Sequence, residues 1–268
     1  MSCDVLEVAD FPEYPTKIES LPLEELVLLN QKYIEENEGY ICSPLNEFGF
    51  TGFSRVLFPN DENPCLTRDV VRSELVYSDS LLDIVKRSLL RNAEYTNVTD
   101  TTALEVTEII PLYGCTICEG QDENSVPLEY KFTFDVQKFE ATEVRNSEIT
   151  VVVDSIGVNR ILGNWYPKFE SPGLINIGYI DAQKIMIGWE INMEPLIGEK
   201  LVFIVEEEHL NEIPEFEYMP FINEQVLELR KTWKVPISYK DETFEGWYAN
   251  VDVIDGLLLS VEPINSSQ

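Results

Sequence analysis

The spacing of apolar residues changes near residue 101, and this change limits the folds open to the chain more than any other feature. Before it, Leu81, Val85 and Leu89 recur at helical spacing behind Ser80, a residue type that caps helices. After it, Tyr130, Phe132 and Phe134 alternate with polar side chains, which is the period of a strand with one wet face. The pattern predicts helices first and strands afterwards.

An earlier helix is predicted to follow Ser20, which can cap it, and to end at Gly39, which tolerates the left-handed backbone of a helix end. The apolar residues predicted to share its face are Leu23, Leu26, Val27 and Ile34. Residues 40–66 are rich in Pro, Asn, Gly and Phe, which indicates an irregular connection.

The rest of the chain contains further runs with a period of two. Strands are predicted at 149–153, 185–193 and 247–253, and the wholly apolar run 201–205 is predicted to be a central strand. Asp255-Gly256 lies between two apolar runs, which predicts a hairpin with a type I′ turn.

One helix is predicted to interrupt the strands, near 223–233. Asn223 can cap it, and Val226, Leu229 and Trp233 share one helical face.

These elements predict an α+β protein: an N-terminal helical and irregular part followed by a mainly antiparallel β-sheet body, sandwich or barrel-like. Strands and long helices do not alternate along the chain, so a doubly wound parallel sheet is disfavoured. We expect a helix-containing N-terminal region at 1–100 and a β-rich domain at 101–268, or one continuous domain.

The charge of the chain excludes several partners. It has 49 acidic and 19 basic residues, a formal net charge of −30. Conventional nucleic-acid sites and anionic membrane surfaces require basic residues, so neither is expected as a partner. No apolar stretch has the length of a transmembrane helix, and the acidic, proline-broken N-terminus does not have the pattern of a secretory signal.

The acidic residues are not spread evenly. Residues 151–200 hold 6 acidic and 4 basic residues, whereas 1–100 hold 19 and 8. The near-neutral segment also contains Trp165, Tyr166, Phe169 and Trp189. Low charge and aromatic residues are typical both of a core and of a subunit interface. The core is the favoured interpretation of this segment, and the four aromatic residues are the predicted interface residues under the alternative, a subunit interface.

The residues that carry catalytic or metal chemistry are few. Cys115 and Cys118 form one CxxC, but two more ligands at zinc spacing are absent and acidic residues follow the motif. We therefore predict structural free thiols in a reducing, intracellular setting, with zinc or redox chemistry as the alternative. His209 is the one histidine and follows three glutamates, so it is predicted to be exposed and non-catalytic. No cofactor, metal site or catalytic residue is predicted.

Three functions remain after these exclusions. The first is a non-enzymatic structural or interaction protein, a subunit of a larger assembly such as a phage tail, neck or baseplate, acting in the cytoplasm or in a virion through protein partners or copies of itself. The second is an acidic DNA mimic that inhibits a nucleic-acid-binding protein. The third is a carboxylate-dependent hydrolase.

Overall fold

The structure is a computed structural model that describes residues 14–41, 43–52, 71–118, 124–194, 201–239 and 245–264. It consists mainly of antiparallel sheets with a few helices, which confirms the predicted α+β, β-rich character. The sheets of the described residues are open, and none closes into a barrel.

The helices and strands are numbered in chain order. They are β1 (Thr16–Glu19), α1 (Leu23–Glu36), α2 (Asp79–Arg91), α3 (Ala93–Thr96), β2 (Val106–Gly114), β3 (Val126–Phe134), β4 (Lys138–Phe139), β5 (Thr142–Glu143), β6 (Glu148–Asp154), β7 (Val158–Asn164), α4 (Tyr179–Met186), β8 (Glu190–Asn192), β9 (Val202–Ile204), β10 (Glu215–Asn223), β11 (Val226–Ser238), β12 (Gly246–Asp252) and β13 (Leu258–Pro263). A 3₁₀ turn, Glu207–His209, follows β9.

The chain divides into two compact units. The N-terminal unit comprises residues 18–138 and 144–168, and the C-terminal unit comprises residues 1–17, 139–143 and 169–268. The boundary predicted at residue 100 does not separate them, because helices α1 to α3 and strands β2, β3, β6 and β7 belong to the same unit.

In the N-terminal unit, helices cover a four-stranded antiparallel sheet with the order β2-β3-β6-β7. The predicted stripe of Leu81, Val85 and Leu89 on α2 is buried in its core, together with Phe132 of β3 and Val151 of β6. Burial of apolar side chains from both layers holds helix and sheet together.

Helix α1 forms where it was predicted, but it buries a different face. The buried residues are Leu26, Asn30 and Tyr33, whereas Leu23 and Val27 are exposed. Its N-cap is Pro22 without a side-chain cap, so the predicted cap at Ser20 is wrong. Two apolar faces overlap in this sequence, and tertiary packing selected the one with Tyr33.

In the C-terminal unit, β10, β11, β12 and β13 pair antiparallel in sequence order, and β1 also pairs with β11. The core of this unit joins Ala182 and Met186 of α4 to Val235 of β11 and Trp247 of β12.

The helix predicted near 223–233 is wrong, because this segment is the long strand β11. Val226, Leu229 and Trp233 fit a helical face by coincidence. The strand instead buries alternate residues on its core face: Leu227, Leu229, Val235 and Ile237.

The strand predicted at 185–193 is also wrong over most of its length. Residues 179–186 form helix α4, whose buried residues Ala182 and Met186 are one turn apart, and only β8 at Glu190–Asn192 is extended.

The hairpin at Asp255-Gly256 forms, since β12 pairs antiparallel with β13. Its turn is longer than the predicted type I′ turn: the N–H of Asp252 donates to the carbonyl of Leu257 (2.9 Å), which leaves a four-residue loop. Gly256 has a positive φ of 72°, as predicted.

Candidate interaction surface

Exposed large apolar side chains are concentrated in one stretch of the C-terminal unit. Within 174–213 they are Leu174, Ile175, Tyr179, Ile180, Ile185, Ile187, Trp189, Leu201, Val202, Ile204 and Ile213. Isolated exposed apolar residues are normal in a monomer, but a concentration of this kind marks an interaction site. The strands β8 and β9 show how the fold produces it.

β8 and β9 form a two-stranded antiparallel ribbon in which Glu190 faces Ile204, Ile191 faces Phe203 and Asn192 faces Val202. Successive side chains of a strand point to opposite faces. Ile191 and Phe203 belong to the inner face, which packs on the core of the unit. The outer face carries the other two pairs.

Val202 and Ile204 on the outer face are 54 % and 51 % exposed. The side chains of β9 are therefore apolar on both faces of the strand, although the outer face is exposed to solvent. The predicted central position of 201–205 is wrong, because β9 pairs with β8 alone among the described strands. In the apolar run 201–205, alternate residues thus have different surroundings: one set packs on the core and the other lies at the surface.

The hydrogen-bond register leaves one edge of β9 open. Met193 donates its N–H to the carbonyl of Leu201 (2.9 Å), and Val205 donates to that of Trp189 (2.9 Å). Hydrogen-bonded pairs alternate with non-bonded pairs in an antiparallel ladder, so the N–H and C=O groups of Val202 and Ile204 point away from β8. No described residue forms a hydrogen bond with these groups. They are a template for another strand.

Aromatic packing fixes the inner face of the ribbon. The ring of Phe203 stacks on Trp247 with centroids 5.0 Å apart and meets the edge of Tyr239 at 5.3 Å. The ring of His209 lies 4.7 Å from Phe203. Because these contacts hold Phe203, the outer residues of β9 are presented on a rigid base.

His209 has a structural position in this arrangement. Its Nδ1 accepts the N–H of Glu206 (2.9 Å) and closes the 3₁₀ turn that follows β9. The predicted exposure of its ring is not observed, since the imidazole contacts Phe203.

Helix α4 supplies the neighbouring apolar side chains. It is anchored through Tyr179, whose ring packs against Trp233 (6.2 Å), while the Trp233 Nε1–H donates to the carbonyl of Ile177 (2.7 Å). Ile180 and Ile185 remain exposed on the helix. The helix therefore has both a buried and an exposed apolar face.

The surroundings of this apolar surface are acidic. Exposed carboxylates near it in the chain are Glu190, Glu206, Glu207, Glu208 and Glu212. Lys184 is the one basic residue within the described part of 174–213, and it pairs with Asp181 (3.2 Å). Exposed carboxylates therefore accompany the exposed apolar side chains along this stretch of the chain.

The four predicted interface residues separate into two groups. Tyr166 and Phe169 are only 7 % and 2 % exposed and are core residues, and Trp165 packs partly buried against the core of the N-terminal unit. Burial raises the pKa of Tyr166 to about 12. Trp189 is 44 % exposed and lies next to β8. The fold already buries the apolar area of Tyr166 and Phe169, and the interface role of the four residues stays a prediction.

Val202 and Ile204 were missed as interaction residues. The available signal was the run LVFIV, which is apolar at every position of a short strand and therefore needs cover on both faces.

Cys115 and Cys118 are joined by a disulfide, whereas the sequence predicted free thiols. The turn between them brings their Cα atoms to 5.3 Å, within the usual range for this bond. No cluster of potential metal ligands occurs among the described residues. Within the same residues, no helix is long and apolar enough to cross a membrane.

Comparison with known proteins does not assign this chain to a family. No protein-family profile and no curated protein sequence matches this chain. Among solved structures, the chain is similar to the C-terminal domain of Bacillus megaterium YpeB, with a TM-score of 0.29 and 11 % identity over 75 % of this chain and 70 % of that one. At this TM-score the similarity says nothing about fold or function.

Proposed function

We propose that this protein is a non-enzymatic interaction protein, a subunit of a larger assembly, and that it receives an extended segment of a protein partner on β9. The observation that carries the proposal is the open edge of β9, with its outward N–H and C=O groups beside exposed Val202 and Ile204. Strand addition at such an edge combines main-chain hydrogen bonds with burial of alternate side chains.

Charge identifies the chemistry of the partner. Exposed glutamates lie close to β8 and β9 along a chain with a net charge of −30. Two copies of this chain repel each other, whereas an apolar strand flanked by Lys or Arg is attracted. The occupant we propose is therefore a basic, apolar segment of another protein.

The virion role and the DNA-mimic role stay predictions of the sequence. Neither of them, nor the hydrolase, draws support from the β9 edge.

Ile204→Pro tests the proposal. Its N–H points away from β8, so proline removes a donor from the open edge without breaking a ladder hydrogen bond. The probe is a fluorescent peptide of alternating Val and Thr flanked by paired lysines. A peptide of equal charge with Gly in place of Val measures attraction by charge alone.

We expect the valine peptide to bind at least tenfold more tightly than the glycine peptide. Ile204→Pro should weaken its binding at least tenfold, and Val76→Lys, an exposed apolar site in the N-terminal unit, should change it less than twofold. If the valine peptide binds wild type and Ile204→Pro equally tightly, the β9 edge is not its binding site. A stable dimer by light scattering that Ile204→Pro dissolves would assign the edge to a second copy instead.

A further inference from the structure

A cavity of about 370 Å³ lies in the N-terminal unit, between the end of α1, one face of α2 and the turn that joins β6 to β7. This volume is in the range of small-molecule sites, about 300–1,000 Å³. Arg87 and Arg91, one helical turn apart on α2, both line it. In a chain with far more acidic than basic residues, two guanidinium groups facing one cavity are unexpected.

Neither arginine is neutralised by a carboxylate of the described residues. The Nε of Arg87 donates only to the backbone carbonyl of Asp83 (3.2 Å), and Arg91 donates to Oδ1 of Asn37 (2.6 Å). Glu38 also lines the cavity, without an ion pair to either arginine. Guanidinium groups bind carboxylates and phosphates through paired, charge-assisted hydrogen bonds.

A buried network holds Arg91 in position. The amide nitrogen of Asn37 donates to the carbonyl of Tyr33 (2.9 Å) and to Oδ1 of Asn92 (2.7 Å). Asn92 in turn donates to the carbonyl of Ser88 (2.9 Å). Asn37 and Asn92 are buried and held by these hydrogen bonds. The guanidinium of Arg91, which donates to Asn37, is therefore oriented before a ligand binds, and this reduces the entropy cost of binding.

One part of the wall is apolar and includes Ile41, Ile84 and Ile156, whereas Tyr40 and Ser88 add polar groups to the lining. Ile156 is exposed, yet its turn is rigid, because Oδ1 of Asp154 accepts the N–H groups of Ile156 (2.9 Å) and Gly157 (3.2 Å). The cavity thus combines two cationic groups with an apolar wall held in place.

We propose that this cavity binds a small organic anion whose carboxylate or phosphate group lies against Arg87 and Arg91 and whose apolar body lies against the isoleucines. The site belongs to the N-terminal unit and is independent of the interaction surface on β9. Its ligand is a small molecule, since the cavity volume is that of a compact compound.

The probes are phenyl phosphate, benzoate and neutral benzyl alcohol, added to the full chain while amide chemical shifts and affinities are measured. At least one of the two anions should shift the amides of residues 37–41, 84–91 and 156–158. It should bind at least tenfold more tightly than benzyl alcohol, and which anion binds better identifies the headgroup. Its affinity should fall as salt rises.

Arg87→Gln and Arg91→Gln should each weaken the anion at least fivefold. Lys86→Gln, which removes a charge from the same helix outside the cavity, should change its affinity less than twofold. Arg87→Gln leaves the Arg91–Asn37 contact intact, so the test survives if Arg91→Gln unfolds the unit. Equal binding of benzyl alcohol, equal losses in Lys86→Gln, or no shift with either anion would overturn the proposal.

Discussion

The hydroxyl of Tyr14 donates a hydrogen bond to Oδ2 of Asp252 over 2.9 Å, although 238 residues separate them. The hydroxyl oxygen of Tyr14 also accepts the N–H of Lys231 (2.8 Å). Asp252 is fully buried and also accepts from Arg230 (3.0 Å). Burial, followed by the Asp252 carboxylate, raises the pKa of Tyr14 above its usual range, so the hydroxyl stays a donor. Tyr14 thereby ties the segment that precedes β1 to β11 and β12.

Tyr14→Phe should lower the free energy of unfolding of the C-terminal unit by about 1–3 kcal/mol, since Asp252 loses a donor and the Lys231 N–H loses its acceptor. Denaturant unfolding followed by tryptophan fluorescence measures the change, because Trp189, Trp233 and Trp247 belong to this unit. Tyr113→Phe, at an exposed tyrosine, is the control and should have no effect. Equal stability of both variants would show that the Tyr14 contact contributes nothing.

Asp255 gives the C-terminal unit a dependence on pH. Burial alone would raise the pKa of Asp255, but the N–H of Leu257 and the guanidinium of Arg230 (3.1 Å) hold it below the usual value. A carboxyl with a lowered pKa contributes stability above its unfolded pKa, about 3.9, and loses it as the pH falls through the folded value.

Asp255→Asn should therefore destabilise the unit at pH 7, by at most about 1 kcal/mol because the side chain of Asp255 is 51 % exposed. The difference from wild type should shrink as the pH falls below about 4, where the unfolded chain takes up a proton. Melting curves between pH 2.5 and 7 measure it, with Asp83→Asn on α2 as the control. A deficit that is constant across this range would contradict the assigned charge interaction.

Two glycines should respond differently to alanine. At Gly256, φ is 72° and a Cβ would lie 3.1 Å from Cδ1 of Ile185, the movable end of a side chain. Gly256→Ala should cost about 1–3 kcal/mol, the price of a non-glycine residue in a left-handed conformation. At Gly246, a Cβ would lie 2.0 Å from the backbone oxygen of Ile237, so the pairing of β11 with β12 must shift.

Gly246→Ala should therefore lower the melting temperature more than Gly256→Ala. Gly173→Ala is the control, since no atom lies within 4 Å of its Cβ position. A melting temperature for Gly256→Ala that matches the control would show that the turn does not require glycine.

Elements whose apolar side chains share one face were predictable from the chain. The stripe of α2 and the alternating apolar residues of β3, β6 and β12 were confirmed, because apolar residues confined to one face leave one clear period in the sequence. The second face of β11 shows where this reasoning fails. It buries Glu228 and Arg230, and the 2.7 Å hydrogen bond between them offsets the cost of burying both charges. A search for periodic apolar residues cannot detect such a pair of charged residues.

The candidate site was predictable only in part. Low charge and aromatic content pointed to 151–200, and Trp189 is exposed there, but Tyr166 and Phe169 are buried. Composition cannot separate a core from an interface, because both exclude water from the same residue types.

Local spacing along the chain thus sufficed for the β-rich class, the α2 helix and the left-handed Gly256, since each depends on neighbours a few residues away. Long-range packing settled the rest. It turned 226–238 into a strand, exposed Val202 and Ile204, and brought Arg87 and Arg91 to one cavity. The physical reason is that burial depends on which distant surfaces meet, and the free energy of apolar contact and charge pairing between them exceeds the weak preferences of local sequence.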